Sequence, residues 1–116
     1  LSIQIEGEWL VNSDQRWLSL AIEQLLNNAV KYTKEGGILI QIKPGEIRIQ
    51  DTGIGILKED VPRLFEHGFT GYNGRIQQKS TGLGLYLAKL ILDKLEFQIA
   101  ISSEIGEGTC VMIKKE

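Results

Sequence analysis

The chain has one cysteine, one histidine, one methionine and two prolines among 116 residues. A lone thiol, Cys110, excludes an internal disulfide and suits a reducing compartment. Basic residues are not in excess: 13 Lys and Arg stand against 15 Asp and Glu, for a net charge of -2. Nothing there neutralises a phosphate backbone, which excludes a nucleic-acid binder. No apolar run approaches the roughly 18 residues of a membrane helix. The chain opens in an alternating strand pattern, not in a signal peptide. It also opens on Leu1 without an initiator methionine, so we expect a piece of a longer protein. What remains is ordinary soluble composition, 42% hydrophobic and 24% charged, and a length that supports one domain with a modest single core.

Periodicity supplies the elements. Ser2 to Gly7 alternates as a half-buried strand does, and Trp9-Leu10-Val11 suggests a second short strand. Asn12-Ser13-Asp14 is a turn and cap cluster, with Asp14 the N-cap. From Gln15 to Thr33 the period is helical. Leu18, Ile22, Leu25, Leu26 and Ala29 form a stripe that packs on a sheet. Gln24, Asn28, Lys31 and Tyr32 run along one edge of it, and Glu23 and Asn27 face water. Gly36-Gly37 ends the helix. Residues 38–43 and 46–51 read as a hairpin around Pro44-Gly45. Lys58 to Phe65 reads as a short helix, with Pro62 tolerated near its first turn. Gly68 to Lys79 is polar, holds Gly68, Gly71 and Gly74, and reads as a mobile loop. Gly82 to Leu95 is helical again, and Phe97 to Ser103 and Thr109 to Lys114 are the last strands. The expected fold is α/β, a mixed sheet of about five strands with three helices on one face.

Four short motifs carry chemistry in a fixed order. Asn28 places a neutral amide oxygen on a helix edge, a hard ligand suited to Mg²⁺ that also holds nucleotide phosphates. A hydrogen-bonded helix asparagine is the plain alternative. Lys31 and Tyr32, one turn later, are placed to meet phosphates and ribose, or else to be a solvated lysine and a boundary aromatic. Asp51 ends a strand and is followed by Gly53 and Gly55. Its carboxylate suits the exocyclic amino group of adenine, where guanine offers a carbonyl. The glycines let the backbone turn tightly and approach a flat base, although Asp-Gly turns at strand ends are common. Ser80-Thr81-Gly82-Leu83-Gly84-Leu85 puts small residues before a helix whose N-terminal amides favour phosphate. Gly106-Glu107-Gly108-Thr109 is either a hairpin turn or a loop from which Thr109 reaches the base through water.

On these residues the chain resembles the ATP-binding domain of the GHKL superfamily, which joins histidine kinases, type II topoisomerases, a chaperone family and mismatch-repair ATPases. The resemblance covers nearly the whole chain and implies the Bergerat fold, with ATP between helices and sheet under a flexible lid. Asn28 to Thr33 and Ser80 to Leu87 are in the style of sensor histidine kinases. Leu64 to Gly71 resembles their phenylalanine box, in which Phe65 and Phe69 pack and anchor the lid. Phe69 to Arg75 is similar to the small kinases that respond to bacitracin and other cell-wall-active peptides.

The resemblance implies that Asn28, Lys31, Tyr32, Asp51, Gly53, Gly55, Ile56, Lys79, Ser80, Thr81, Gly82, Leu83, Gly84, Leu85 and Thr109 surround ATP. Asn28 would hold the metal and act in catalysis with Lys31 and Arg75, the lid cations Arg75 and Lys79 neutralising charge on the γ-phosphoryl group. Arg75 and Lys79 read equally as solvated loop cations. His67 is a lid or hinge histidine, since kinases keep the acceptor histidine on a separate dimerisation domain. Cys110 reads as a buried small hydrophobe. Hydrolysing relatives place a glutamate four residues before the metal asparagine to activate water. Here Gln24 stands there and cannot act as a general base. Many kinases have asparagine at that position and a polar or acidic residue where this chain has Leu20, departures that bear on metal affinity.

The implied partners are the missing acceptor domain in a full-length homodimer, a response regulator and an ABC transporter. This domain would lie on the cytoplasmic side of a membrane protein without touching the membrane. Two other functions fit the same motifs: an ATPase driving a conformational cycle, and a module that senses ATP without chemistry.

Overall fold

The computed structural model describes residues 2–10, 13–33, 35–66 and 83–115, with Leu83 described by its backbone alone. The chain runs β1 (Ser2–Gly7), α1 (Gln15–Tyr32), β2 (Gly37–Lys43), β3 (Glu46–Asp51), a short 3-10 helix (Val61–Arg63), α2 (Leu83–Lys94), β4 (Gln98–Glu104) and β5 (Gly108–Lys114). The strands form one sheet in the order β1-β2-β3-β5-β4. β1 pairs with β2 in parallel and every other pairing is antiparallel, so the sheet is mixed, as expected.

Side-chain alternation decides which sheet face takes the helices. Ile38 and Ile40 of β2, Ile47 and Ile49 of β3 and Val111 and Ile113 of β5 are buried on one face. Leu18, Ala21, Leu25 and Ala29 of α1 and Ala88, Ile91 and Leu92 of α2 pack against them. Leu25, Ile49, Leu92 and Ile113 are fully enclosed, and each such side chain stabilises the fold by about 1.5–3 kcal/mol. The expected α1 stripe holds, with Ile22 and Leu26 partly buried at its margin. Asp14 caps α1, accepting the N–H of Arg16 at 3.1 Å and of Trp17 at 3.3 Å.

Four expectations are corrected. First, Lys58 to Phe65 is not an α-helix. Pro62 has no N–H for the residue 58 carbonyl and disfavours helical geometry at Val61. The segment settles into successive three-residue turns instead, from Asp60 N to Leu57 O, Arg63 N to Asp60 O, and Glu66 N to Arg63 O. Two α-helices, not three, therefore lie on the sheet among the described residues. Second, Trp9 and Leu10 form no strand, and Val11 of that expected strand lies outside the described residues. Trp9 packs edge-on against Phe97 with ring centroids 6.0 Å apart, and Leu10 is exposed. Third, β1 is exposed on both faces, because it is the sheet's edge strand and the helix layer stops at β2. Fourth, Cys110 is only half-buried. It pairs with Gln50 and Ser102 on the opposite sheet face from Val111, and desolvation there raises its thiol pKa.

Candidate functional site

The hydrophobic face of the sheet ends in a polar rung. Across β2, β3, β5 and β4 the register aligns Ile38, Asp51, Thr109 and Ser103. The preceding rungs on that face are isoleucine and valine, so Asp51 stands where another core residue would. It is 7% exposed.

Asp51 Oδ1 accepts two backbone amides, from Gly53 at 2.9 Å and from Thr109 at 3.1 Å. Burial nevertheless pushes the carboxyl above its ordinary range, against the two amides and the nearby Thr33 hydroxyl, which pull it down. Thr33 is itself buried at 2% exposure, and its hydroxyl has no partner in hydrogen-bonding geometry among the described residues. Its influence on Asp51 is therefore that of a neighbouring dipole.

The glycines hold this rung by allowing close backbone approach. A Cβ on Gly53 would lie 2.2 Å from the Tyr32 carbonyl oxygen, and one on Gly108 2.1 Å from that of Asp51. The Ile54 N–H donates to Tyr32 O at 3.1 Å, and the Gly106 N–H donates to Ile54 O at 3.0 Å. The segment after β3 is thus clamped between the end of α1 and the β4–β5 turn. On the other side, a Cβ on Gly84 would lie 3.0 Å from Gln24 Oε1, so the start of α2 abuts α1 one turn before Asn28. The edge bearing Gln24, Asn28, Lys31 and Tyr32 is where the motifs meet.

The sequence-predicted residues divide as follows. Asn28 and Lys31 are half-buried on that edge. Tyr32 is buried, as a boundary aromatic would be. Asp51, Gly53 and Thr109 are brought together, and Gly55 lies against Glu104 and Ile105 at the β4–β5 turn. Ile56 is buried and donates its N–H to Ser103 Oγ at 2.9 Å. Leu85 packs against the core. Arg75, Lys79, Ser80, Thr81 and Gly82 lie outside the described residues, as do His67, Phe69, the expected lid and the side chain of Leu83. Sequence reasoning missed Ser103 and Thr33. The signal for Ser103 was available: in Ile99, Ile101, Ser103 a hydroxyl takes the third inward position of β4.

No group of three His, Cys, Asp or Glu among the described residues is placed to hold a metal. A cation here would take one amide oxygen from Asn28 and draw its other ligands from phosphate and water, which suits Mg²⁺.

The family described as histidine kinase-, DNA gyrase B-, and HSP90-like ATPase matches residues 13–116. The chain belongs to this family. Among its relatives, the sensor protein BceS of Bacillus subtilis is 44% identical over 111 residues, covering 92% of this chain and 33% of that protein. The sensor histidine kinase YxdK of Bacillus subtilis is 43% identical, over 87% of this chain and 33% of the relative. The sensor protein kinase GraS of Staphylococcus aureus is 37% identical, over 89% and 31%. The chain thus spans about a third of the length of these relatives. Among solved structures, the mycobacterial sensor histidine kinase MprB superposes with a TM-score of 0.76 at 26% identity, over 96% of this chain and 79% of that one. Full-length ShkA in complex with AMPPNP gives 0.71 at 26% identity, over 96% and 25%. No helix among the described residues is long and apolar enough to cross a membrane.

Proposed function

We propose that this domain binds ATP with Mg²⁺ and presents the γ-phosphoryl group to a histidine on a separate domain of a two-component sensor kinase. One observation carries the reading: a buried carboxylate, Asp51, stands at the end of the core with Oδ1 tied to two backbone amides, and its second oxygen would receive a donor such as the adenine amino group. The Asn28 amide oxygen would hold Mg²⁺, which supplies charge neutralisation at the phosphates. Lys31 lies one turn from it, and the N-terminal end of α2 suits the phosphate chain. Arg75, Lys79, Ser80, Thr81, Gly82 and Leu83 complete the proposed contacts.

The relatives named as sensor kinases support transfer over hydrolysis. So does Gln24, half-buried on the nucleotide edge, where an amide cannot take a proton from water. The remaining reaction is positioning and charge stabilisation. The acceptor domain within a homodimer, a response regulator and an ABC transporter are the proposed partners, and the proposed site of action is the cytoplasmic side of a membrane.

The test is to mix the domain with the acceptor-histidine domain of its own kinase and ATP labelled in the γ-phosphate. Acid-labile, base-stable label on the acceptor is expected. Steady release of free phosphate with no labelled acceptor would establish hydrolysis instead. ATP binding with neither product would leave a sensing module.

A further inference from the structure

Ser103 is the hub of the polar rung. Its Oγ receives the Ile56 N–H at 2.9 Å and lies 2.9 Å from the Gly108 carbonyl oxygen and 2.8 Å from Thr109 Oγ1. A serine hydroxyl has one proton to donate and two lone pairs to accept with. The Ile56 amide is only a donor and the Gly108 carbonyl only an acceptor. One arrangement of protons satisfies all three contacts: Ser103 donates to Gly108 O and accepts from both Ile56 N–H and Thr109 O–H. The Thr109 proton is then committed to Ser103, and Thr109 Oγ1 offers only lone pairs elsewhere.

We propose that Ser103 is a specificity-determining positioning residue. By engaging the Thr109 proton it makes Thr109 an acceptor beside the acceptor Asp51, so that the site takes a purine bearing a 6-amino group and refuses one bearing a 6-carbonyl. Asp51 and Thr109 are cross-strand neighbours, so both acceptors address one side of the ligand. A bridging water does not reverse the preference. With its protons on Asp51 Oδ2 and Thr109 Oγ1, such a water has only lone pairs left for the group at the purine 6-position. The inference rests on the nucleotide reading and adds to it. Asp51 alone supplies an acceptor, whereas Ser103 prevents a neighbouring hydroxyl from turning round to welcome a carbonyl.

The experiment compares ATP with inosine triphosphate, in which the 6-amino group is a carbonyl and N1 carries a proton, by calorimetry on folded protein. Ser103→Ala is expected to lower the ATP-over-ITP preference by about two- to tenfold, the reach of one neutral hydrogen bond. Ser103→Thr keeps a hydroxyl and should retain the preference. In a Thr109→Val background, Ser103→Ala should no longer change the ratio, because no hydroxyl is left to turn. Thr109→Val alone gives an independent reading should Ser103→Ala fold poorly: it should weaken ATP more than ITP. An unchanged ratio in Ser103→Ala, or a Thr109→Val effect that falls equally on both nucleotides, overturns the inference while leaving ATP binding intact. Wild-type protein that binds neither nucleotide overturns the functional reading itself.

Discussion

Asp51 Oδ1 accepts the Thr109 amide at 3.1 Å across a sequence separation of 58. The contact ties the ends of β3 and β5 together through a side chain at the rung where the core turns polar. The carboxylate is both a brace and the proposed base-reading group, and these roles separate on substitution. Asp51→Asn keeps an oxygen for the Gly53 and Thr109 amides but presents an NH₂ where the adenine amino group needs an acceptor. ATP affinity should fall by about ten- to a hundredfold, measured by calorimetry with Mg²⁺.

Stability should move the other way. Burial raises the Asp51 pKa above 3.8, so the folded state holds the proton more tightly than the unfolded chain. That contribution is fully present below the unfolded value and is lost as pH rises through the folded value. The asparagine variant carries no such loss. Relative to wild type it should gain stability as pH increases from about 4. Urea denaturation of both proteins at several pH values checks the sign, and a wild-type advantage that grows with pH would refute it.

Two glycines of one turn should differ in cost. Gly106 and Gly108 both have positive φ, at +85° and +116°, but among the described residues a Cβ on Gly106 meets nothing within 4 Å whereas one on Gly108 meets the Asp51 backbone at 2.1 Å. Gly106→Ala should cost about 1–2 kcal/mol, the left-handed backbone penalty alone. Gly108→Ala should cost more, because backbone must move as well, and it should carry Asp51 out of place and weaken ATP. Denaturation midpoints and nucleotide calorimetry on both variants test the ordering.

The legible parts of the molecule were those set by local chemistry. The 3.6-residue period of α1 placed Leu18, Leu25 and Ala29 in the core and Asn28 on the edge. Pro44-Gly45 placed the hairpin, and Asp14 placed the cap. What escaped depended on register and on neighbours distant in sequence. The exposure of Ile3 and Ile5 follows from β1 lying at the sheet edge, which alternation within one strand does not encode. Ser103 matters because β4 pairs with β5 so that its hydroxyl faces Thr109. The Lys58–Phe65 segment failed for a local reason underweighted at sequence level: Pro62 stands in its middle and removes the hydrogen bond that would have joined its two halves. The half-burial of Cys110 likewise follows from strand parity, since its neighbours Thr109 and Val111 take the inward face.

Asp14→Ala provides the control that separates folding from binding. The Asp14 carboxylate satisfies two otherwise unpaired amides at the start of α1, at the end of the helix remote from Asn28. Losing such a cap costs about 1 kcal/mol. The denaturation midpoint should fall accordingly, with no change in ATP affinity under conditions where the protein remains folded. A parallel loss of affinity would show that the nucleotide edge of α1 is coupled to its first turn.

Gly84→Ala tests the opposite combination. Gly84 is the second residue of α2, where alanine is favoured over glycine by less than the roughly 1 kcal/mol of a helix interior. Among the described residues the new methyl would meet only the Gln24 side-chain oxygen, at 3.0 Å, and that flexible end can turn away. Stability should therefore hold or rise. The same methyl narrows the gap between the start of α2 and the α1 edge, where the phosphate chain is proposed to run. ATP affinity should fall while adenosine, which has no phosphates, binds as before. If adenosine is weakened equally, the phosphate chain does not pass Gly84, and the amides at the start of α2 lose their proposed role.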